Sequence, residues 1–135
     1  MSIEKAITTI VTTDAAITGV IGNRLFPLFL PQGAAMPAVV YQEISGSDGM
    51  TTDGALGLVD GRFQFTCWSA THTGAVELRD AVISLFKANL SGVFGGVTIQ
   101  AAQVIGRGDI QSLSDQAEGL TRYGKYVEVT ISYNE

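Results

Sequence analysis

The alternation that closes this chain constrains its fold more than any other feature. From Tyr123 to Tyr133, the row Tyr123, Lys125, Val127, Val129, Ile131 and Tyr133 alternates with Tyr126, Glu128, Thr130 and Ser132. A side-chain period of two is that of a strand with one face against a core and the other toward water. The chain must therefore build a sheet and then cover one side of it. Gly61 to Trp68 repeats the pattern, with Phe63, Phe65 and Cys67 alternating with Arg62, Gln64 and Thr66. Pro37 to Ile44 reads as another strand, with Val39, Tyr41 and Glu43 on one face and Val40, Gln42 and Ile44 on the other. Val97 to Ile105 is a further strand. Arg24 to Leu30 is apolar on both faces, and Pro27 interrupts it. Proline donates nothing to a ladder, so this segment is an edge strand or an extended arm.

The cover for the sheet is helical. Over residues 73–89, Ala75, Leu78, Ala81, Val82, Leu85 and Phe86 form a stripe at helical spacing, while Glu77, Arg79, Asp80 and Lys87 face mostly outward. Thr71 or Thr73 is placed to cap it. Residues 3–13 form a shorter amphipathic helix through Ile3, Ala6, Ile7, Ile10 and Val11, with Ser2 as its N-cap. Asp14 to Ile21 forms another, with Thr13 as N-cap and Gly22 at its left-handed end.

Residues 45–60 and 106–119 read as loops. The first carries Gly46, Gly49, Gly54 and Gly57 in a Ser/Thr/Asp background. No basic residue lies between Arg24 and Arg62, whereas Glu43, Asp48, Asp53 and Asp60 do, so this loop is acidic. The second carries Asp109, Asp115 and Glu118. Gly92, Gly95 and Gly96 mark a turn. The order is helix, helix, strand, strand, strand, helix, strand, strand. Consecutive strands joined by loops favour antiparallel pairing. The expected fold is α+β: an antiparallel or mixed sheet with one main helix packed across it and one or two short N-terminal helices. At 135 residues the chain makes one domain, 1–135, with a single core.

Charge and composition narrow the function classes. Eight basic against thirteen acidic residues give a net charge of −5 and a pI near 4.7. That balance opposes general nucleic-acid binding and an anionic membrane surface. One cysteine forms no internal disulfide, and one cysteine with one histidine makes no zinc site of the usual kind. The start of the chain does not read as a signal peptide, and no apolar run reaches the ~18 residues needed to span a bilayer. Synthesis in the cytoplasm is the expectation.

Enzyme motifs are absent: no P-loop, no dinucleotide-binding glycine pattern, no zinc-protease helix and no nucleophile elbow. Cys67 and His72 lie five residues apart, but Cys67 shares the phase of Phe63 and Phe65 and belongs in the core, where a thiol is inert. Asp48 and Asp53 lack the spacing of a calcium loop and read as solvated acids. Trp68 reads as a core or interface anchor. Tyr126, on the polar face of the last strand, has the character of an interface residue.

Two stretches carry a family resemblance. One runs Arg24-Leu25-Phe26-Pro27-Leu28, then Leu30-Pro31-Gln32-Gly33-Ala34, to Pro37. The other is Phe63-Gln64-Phe65-Thr66-Cys67-Trp68-Ser69-Ala70 leading into the main helix. With the N-terminal helix, the GGVTIQ strand and the closing YGKYVEVTISY strand, the chain resembles, along almost its whole length, the tail completion or tail terminator proteins of long-tailed phages and phage-like particles such as gene transfer agents. The resemblance implies a structural protein with no catalysis, cofactor or metal. It implies a ring of copies of itself, typically six, on the head-proximal end of the tail tube. There the ring stops polymerisation and meets neck or connector proteins, with DNA only passing through its lumen and no membrane partner. Assembly in the bacterial cytoplasm and then residence in the particle's tail follow from the same resemblance. A neck or head–tail joining protein, or a small ligand-binding module, are the alternatives. Candidate interface residues are Leu25, Phe26, Leu28 and Phe29 on the two-faced apolar arm, Asp48, Asp53, Asp109 and Asp115 on the loops, and Tyr126. A ring needs two different patches per subunit whose rotation closes, and an acidic lumen would repel passing DNA.

Overall fold

The computed structural model describes residues 3–22, 24–28, 35–51, 54–87, 91–94, 96–115 and 120–134, with side chains except at 47–51, 54–58, 110–115 and 120–122. Two short helices come first, α1 (Ile3–Thr12) and α2 (Ala15–Ile21). In α1 all five residues of the expected stripe are buried. Its threonines are poor helix formers, yet Thr8, Thr9, Thr12 and Thr13 each donate a hydroxyl to the carbonyl four residues back. That local bond lets a threonine sit in a helix without leaving its oxygen unpaired. The N-cap of α2 is Asp14 and not the expected Thr13. The Asp14 carboxylate accepts from the Ala16 and Ile17 amides at 2.9 and 3.2 Å, while the Thr13 hydroxyl is turned back onto α1. Gly22, at φ 62°, ends α2 and donates its amide to the Thr18 carbonyl.

Six strands follow: β1 (Leu25–Pro27), β2 (Ala38–Thr51), β3 (Gly54–Ser69), β4 (Gly92–Phe94), β5 (Val97–Asp115) and β6 (Leu120–Asn134). Helix α3 (His72–Lys87) lies between β3 and β4 in the chain. The strands form one sheet in the order β1-β2-β3-β6-β5-β4. Pro27 sits in the edge strand β1, where its missing donor costs nothing. β1 runs parallel to β2, against the antiparallel expectation for consecutive strands. Every other pairing is antiparallel. The expected turn at Gly92–Gly96 contains the short strand β4.

Within the two expected loops, the described residues 45–51, 54–60 and 106–115 are strand. Residues 45–51 extend β2 and 54–60 extend β3, and the two pair from Ala38↔Trp68 to Thr51↔Gly54. Residues 106–115 extend β5, pairing with β6 as far as Asp115↔Leu120. Glycine and polar composition argued for loop, but ladder pairing with a neighbour overrides local propensity. Packing explains the glycine that opens the expected strand from Gly61 to Trp68. A Cβ on Gly61 would stand 2.6 Å from the Phe63 ring and 3.3 Å from the Tyr133 ring, so that position is glycine because two aromatics close over it.

The core lies between one sheet face and the helices. Val39, Phe63, Phe65, Cys67, Val127, Val129 and Ile131 come from the sheet, Ala75, Leu78, Val82, Ile83 and Phe86 from α3, and Ile7, Ile10, Val11, Ile17 and Ile21 from α1 and α2. The Phe65 and Phe86 rings meet at 4.9 Å between centroids. Thr71 caps α3 by accepting the Gly74 amide at 3.0 Å. The opposite sheet face is polar along most of its length. Its Arg62–Glu128 ion pair and the Ser132 hydroxyl donated to Asp60 span β3 and β6. Ala38, Val40, Thr66 and Trp68 form a small buried patch at one end of that face.

Candidate functional site

The register of the sheet creates two projections. Ser69 of β3 lies opposite Tyr123 of β6, and Leu58 lies opposite Asn134. Beyond Leu58–Asn134, β2 and β3 continue as a two-stranded ribbon through Met50↔Ala55 and Thr51↔Gly54. Beyond Ser69–Tyr123, β5 and β6 continue as a second ribbon through Leu113↔Arg122 and Asp115↔Leu120. The ribbons therefore leave the sheet at opposite ends. A two-stranded ribbon is marginal by itself in water and gains stability by packing on something else.

The expected interface residues distribute over these features. Leu25 and Phe26 are half-buried on β1, with Leu25 packed against the core. Leu28 is 68% exposed and holds φ 69°, unusual for a side chain of its kind. Its amide donates to the Tyr41 carbonyl at 2.9 Å. Phe29 and Asp53 lie outside the described residues. The backbone of Asp48 is on β2 opposite Val59, and that of Asp115 is on β5 opposite Leu120, so each belongs to a ribbon or its base. Asp109 and Tyr126 are on the sheet proper. Tyr126 lies across Gly108, where a Cβ would fall 2.7–2.8 Å from the phenol. The structure thus separates the candidates into the β1 edge, the two opposite ends and the sheet surface.

Asp109 has a partner that its sequence surroundings gave no sign of. Lys125, buried although it is an amine, makes an ion pair with it across β5–β6. The hydrogen bond from Lys125, followed by its charge, holds the Asp109 carboxyl below its ordinary value. His72, at the start of α3, is exposed and meets Tyr123 edge-on at 6.1 Å. Cys67 is fully buried, and burial pushes its thiol up to about 12. Trp68 is only 7% exposed, which suits an anchor rather than an open platform. Among the described residues no three His, Cys, Asp or Glu side chains converge. A shallow groove of about 340 Å³ between α3 and β5 is lined by Phe86, Lys87, Ala102, Gln103 and Val104. No described helix is long and apolar enough to cross a membrane.

A family model described as Tail completion protein gp17 matches residues 5–114, which run from α1 to the end of β5. The chain belongs to the tail completion family. Tail completion proteins are structural parts of phage-type tails, and the two ribbons are features of one member of that family. Among solved structures, a chain from the virion of a native gene transfer agent particle has the same fold, with a TM-score of 0.56 at 13% identity over 91% of this chain and 89% of that one. Comparison with curated proteins returns no match. Both the Arg24–Pro37 and Phe63–Ala70 stretches fall within the matched residues: the first contains β1 and ends just before β2, and the second is the end of β3, which leads into α3.

Proposed function

We propose that this tail completion protein acts as a ring of its own copies, taken as six from the family resemblance, seated on the head-proximal end of a tail tube. The ring ends tube growth on one side and offers a joint to neck or connector proteins on the other. It works by shape, with no reaction and no cofactor, and DNA passes through its lumen. The observation that carries this reading is the pair of ribbons at opposite ends of one sheet. A protein that terminates one structure and begins another needs two unlike contact surfaces facing opposite ways.

Between residues 47 and 58, the stretch that includes the β2–β3 ribbon, the sequence has Asp48 and Asp53 and no base. The β5–β6 ribbon includes Asp115 and Arg122. The test is to remove residues 48–56, closing the ribbon with a two-residue turn, and to inspect particles by electron microscopy. Overlong or headless tails from a folded variant are expected. Tails of normal length joined to heads would refute the assignment, and normal-length tails without heads would move the role to the neck.

A further inference from the structure

Among the described residues the sheet has two long strand edges that no strand covers, and they complement each other. β1 covers the outer edge of β2 only at Val39–Tyr41, and β4 covers the outer edge of β5 only at Val97–Ile99. From Gln42 onward on β2 and from Gln100 onward on β5, no described strand pairs with the outer edge. An open edge is a row of unpaired amides and carbonyls that templates a further strand. β2 and β5 also point in opposite directions, since three antiparallel pairings separate them. Copies arranged head to tail would therefore bring β5 of one beside β2 of the next in antiparallel sense. A closed ring of such contacts leaves no edge open.

We propose that neighbouring copies join by strand addition, β2 of one subunit pairing with β5 of the next, in a register that sets Glu43 against Arg107. This rests on the ring reading above and specifies its subunit contact. Three observations favour the register. Glu43 and Arg107 are opposite charges, both exposed, without an ion-pair partner among the described residues. Both stand on the same face of the sheet, since each lies opposite a core residue, Phe63 and Val127 respectively. With them aligned, Gln42–Met50 runs along Gly108–Gln100, and the pairing stops at one end where β1 begins and at the other where β4 begins. The short edge strands thus act as stops that set the stagger between copies. The slip this requires is a shift along the strands of the kind a closed barrel imposes. Irregularities at Glu43/Ser45 and Val104/Gly106 fall within the paired stretch on both strands.

The purified protein is examined over a wide concentration range by light scattering, with amide hydrogen exchange on each species. A ring in which the outward-pointing amides within 42–50 and 100–108, which alternate with those already bonded to β3 and β6, exchange at least tenfold more slowly than in the monomer is the expected result. Glu43→Arg and Arg107→Glu singly should weaken assembly at least tenfold, and the double variant should restore it. Circular dichroism confirms that each variant folds. A ring that forms with protection elsewhere, or that ignores both single charge reversals, overturns edge pairing and leaves the ring itself standing. A wild-type chain that stays monomeric throughout overturns edge pairing as well, while the tail-length experiment judges the terminator role separately.

Discussion

Replacing Phe65 by alanine tests whether α3 is clamped to the sheet as described. Phe65 is on the central strand β3, is fully buried, and packs its ring on Phe86 of α3 at 4.9 Å with a 38° tilt. Truncating a fully enclosed phenylalanine removes its transfer energy and leaves a cavity that close-packed neighbours fill only partly, at a cost of about 3–5 kcal/mol. For a domain of this size that is roughly 10–20 °C in Tm. Phe86→Ala, 1% exposed in the wild type, should cost a similar amount. Because the rings touch, the double variant should fall short of additivity by about 0.5–1.5 kcal/mol. The assay is urea unfolding followed by circular dichroism at a protein concentration where all four chains are monomeric. A loss under about 1 kcal/mol for either single variant would show that its ring is not enclosed. Strict additivity would show that the two rings do not meet.

Two further predictions concern single groups. Asp14→Ala removes the acceptor for two amides at the start of α2 and should cost about 1 kcal/mol in unfolding free energy, whereas Thr13→Ala should leave that cap intact. Cys67 should resist alkylation in the folded protein and react at the rate of unfolding, because burial pushes its thiol up from 9.0 to about 12. The folded-state value is raised, so its contribution to stability is present below pH 9 and is lost as pH rises toward 12. Cys67→Ala should flatten that decline in an alkaline unfolding series.

Much of the fold was legible because burial leaves a periodic trace. The alternation at Phe63–Cys67 and Val127–Tyr133 located the two central strands, and the stripe from Ala75 to Phe86 located the helix that covers them. Where local composition and tertiary pairing disagreed, composition misled. Residues 45–60 look like a loop because glycine, serine and aspartate favour turns, yet 45–51 and 54–60 are held in a ladder by their neighbours. Lys125 shared the phase of a core row and gave no hint that a carboxylate sixteen residues away would pair with it.

The amino-acid order alone determined the α+β class, the buried faces of the main elements and the membership of a structural tail family, because each is written in short-range spacing or in a linear pattern. Only the three-dimensional arrangement decided that the two ribbons leave at opposite ends and that no described strand covers most of the outer edges of β2 and β5. Those depend on which strands lie side by side and how far each slides past the next. Such register is a sum of long-range contacts, and no local window of residues contains it.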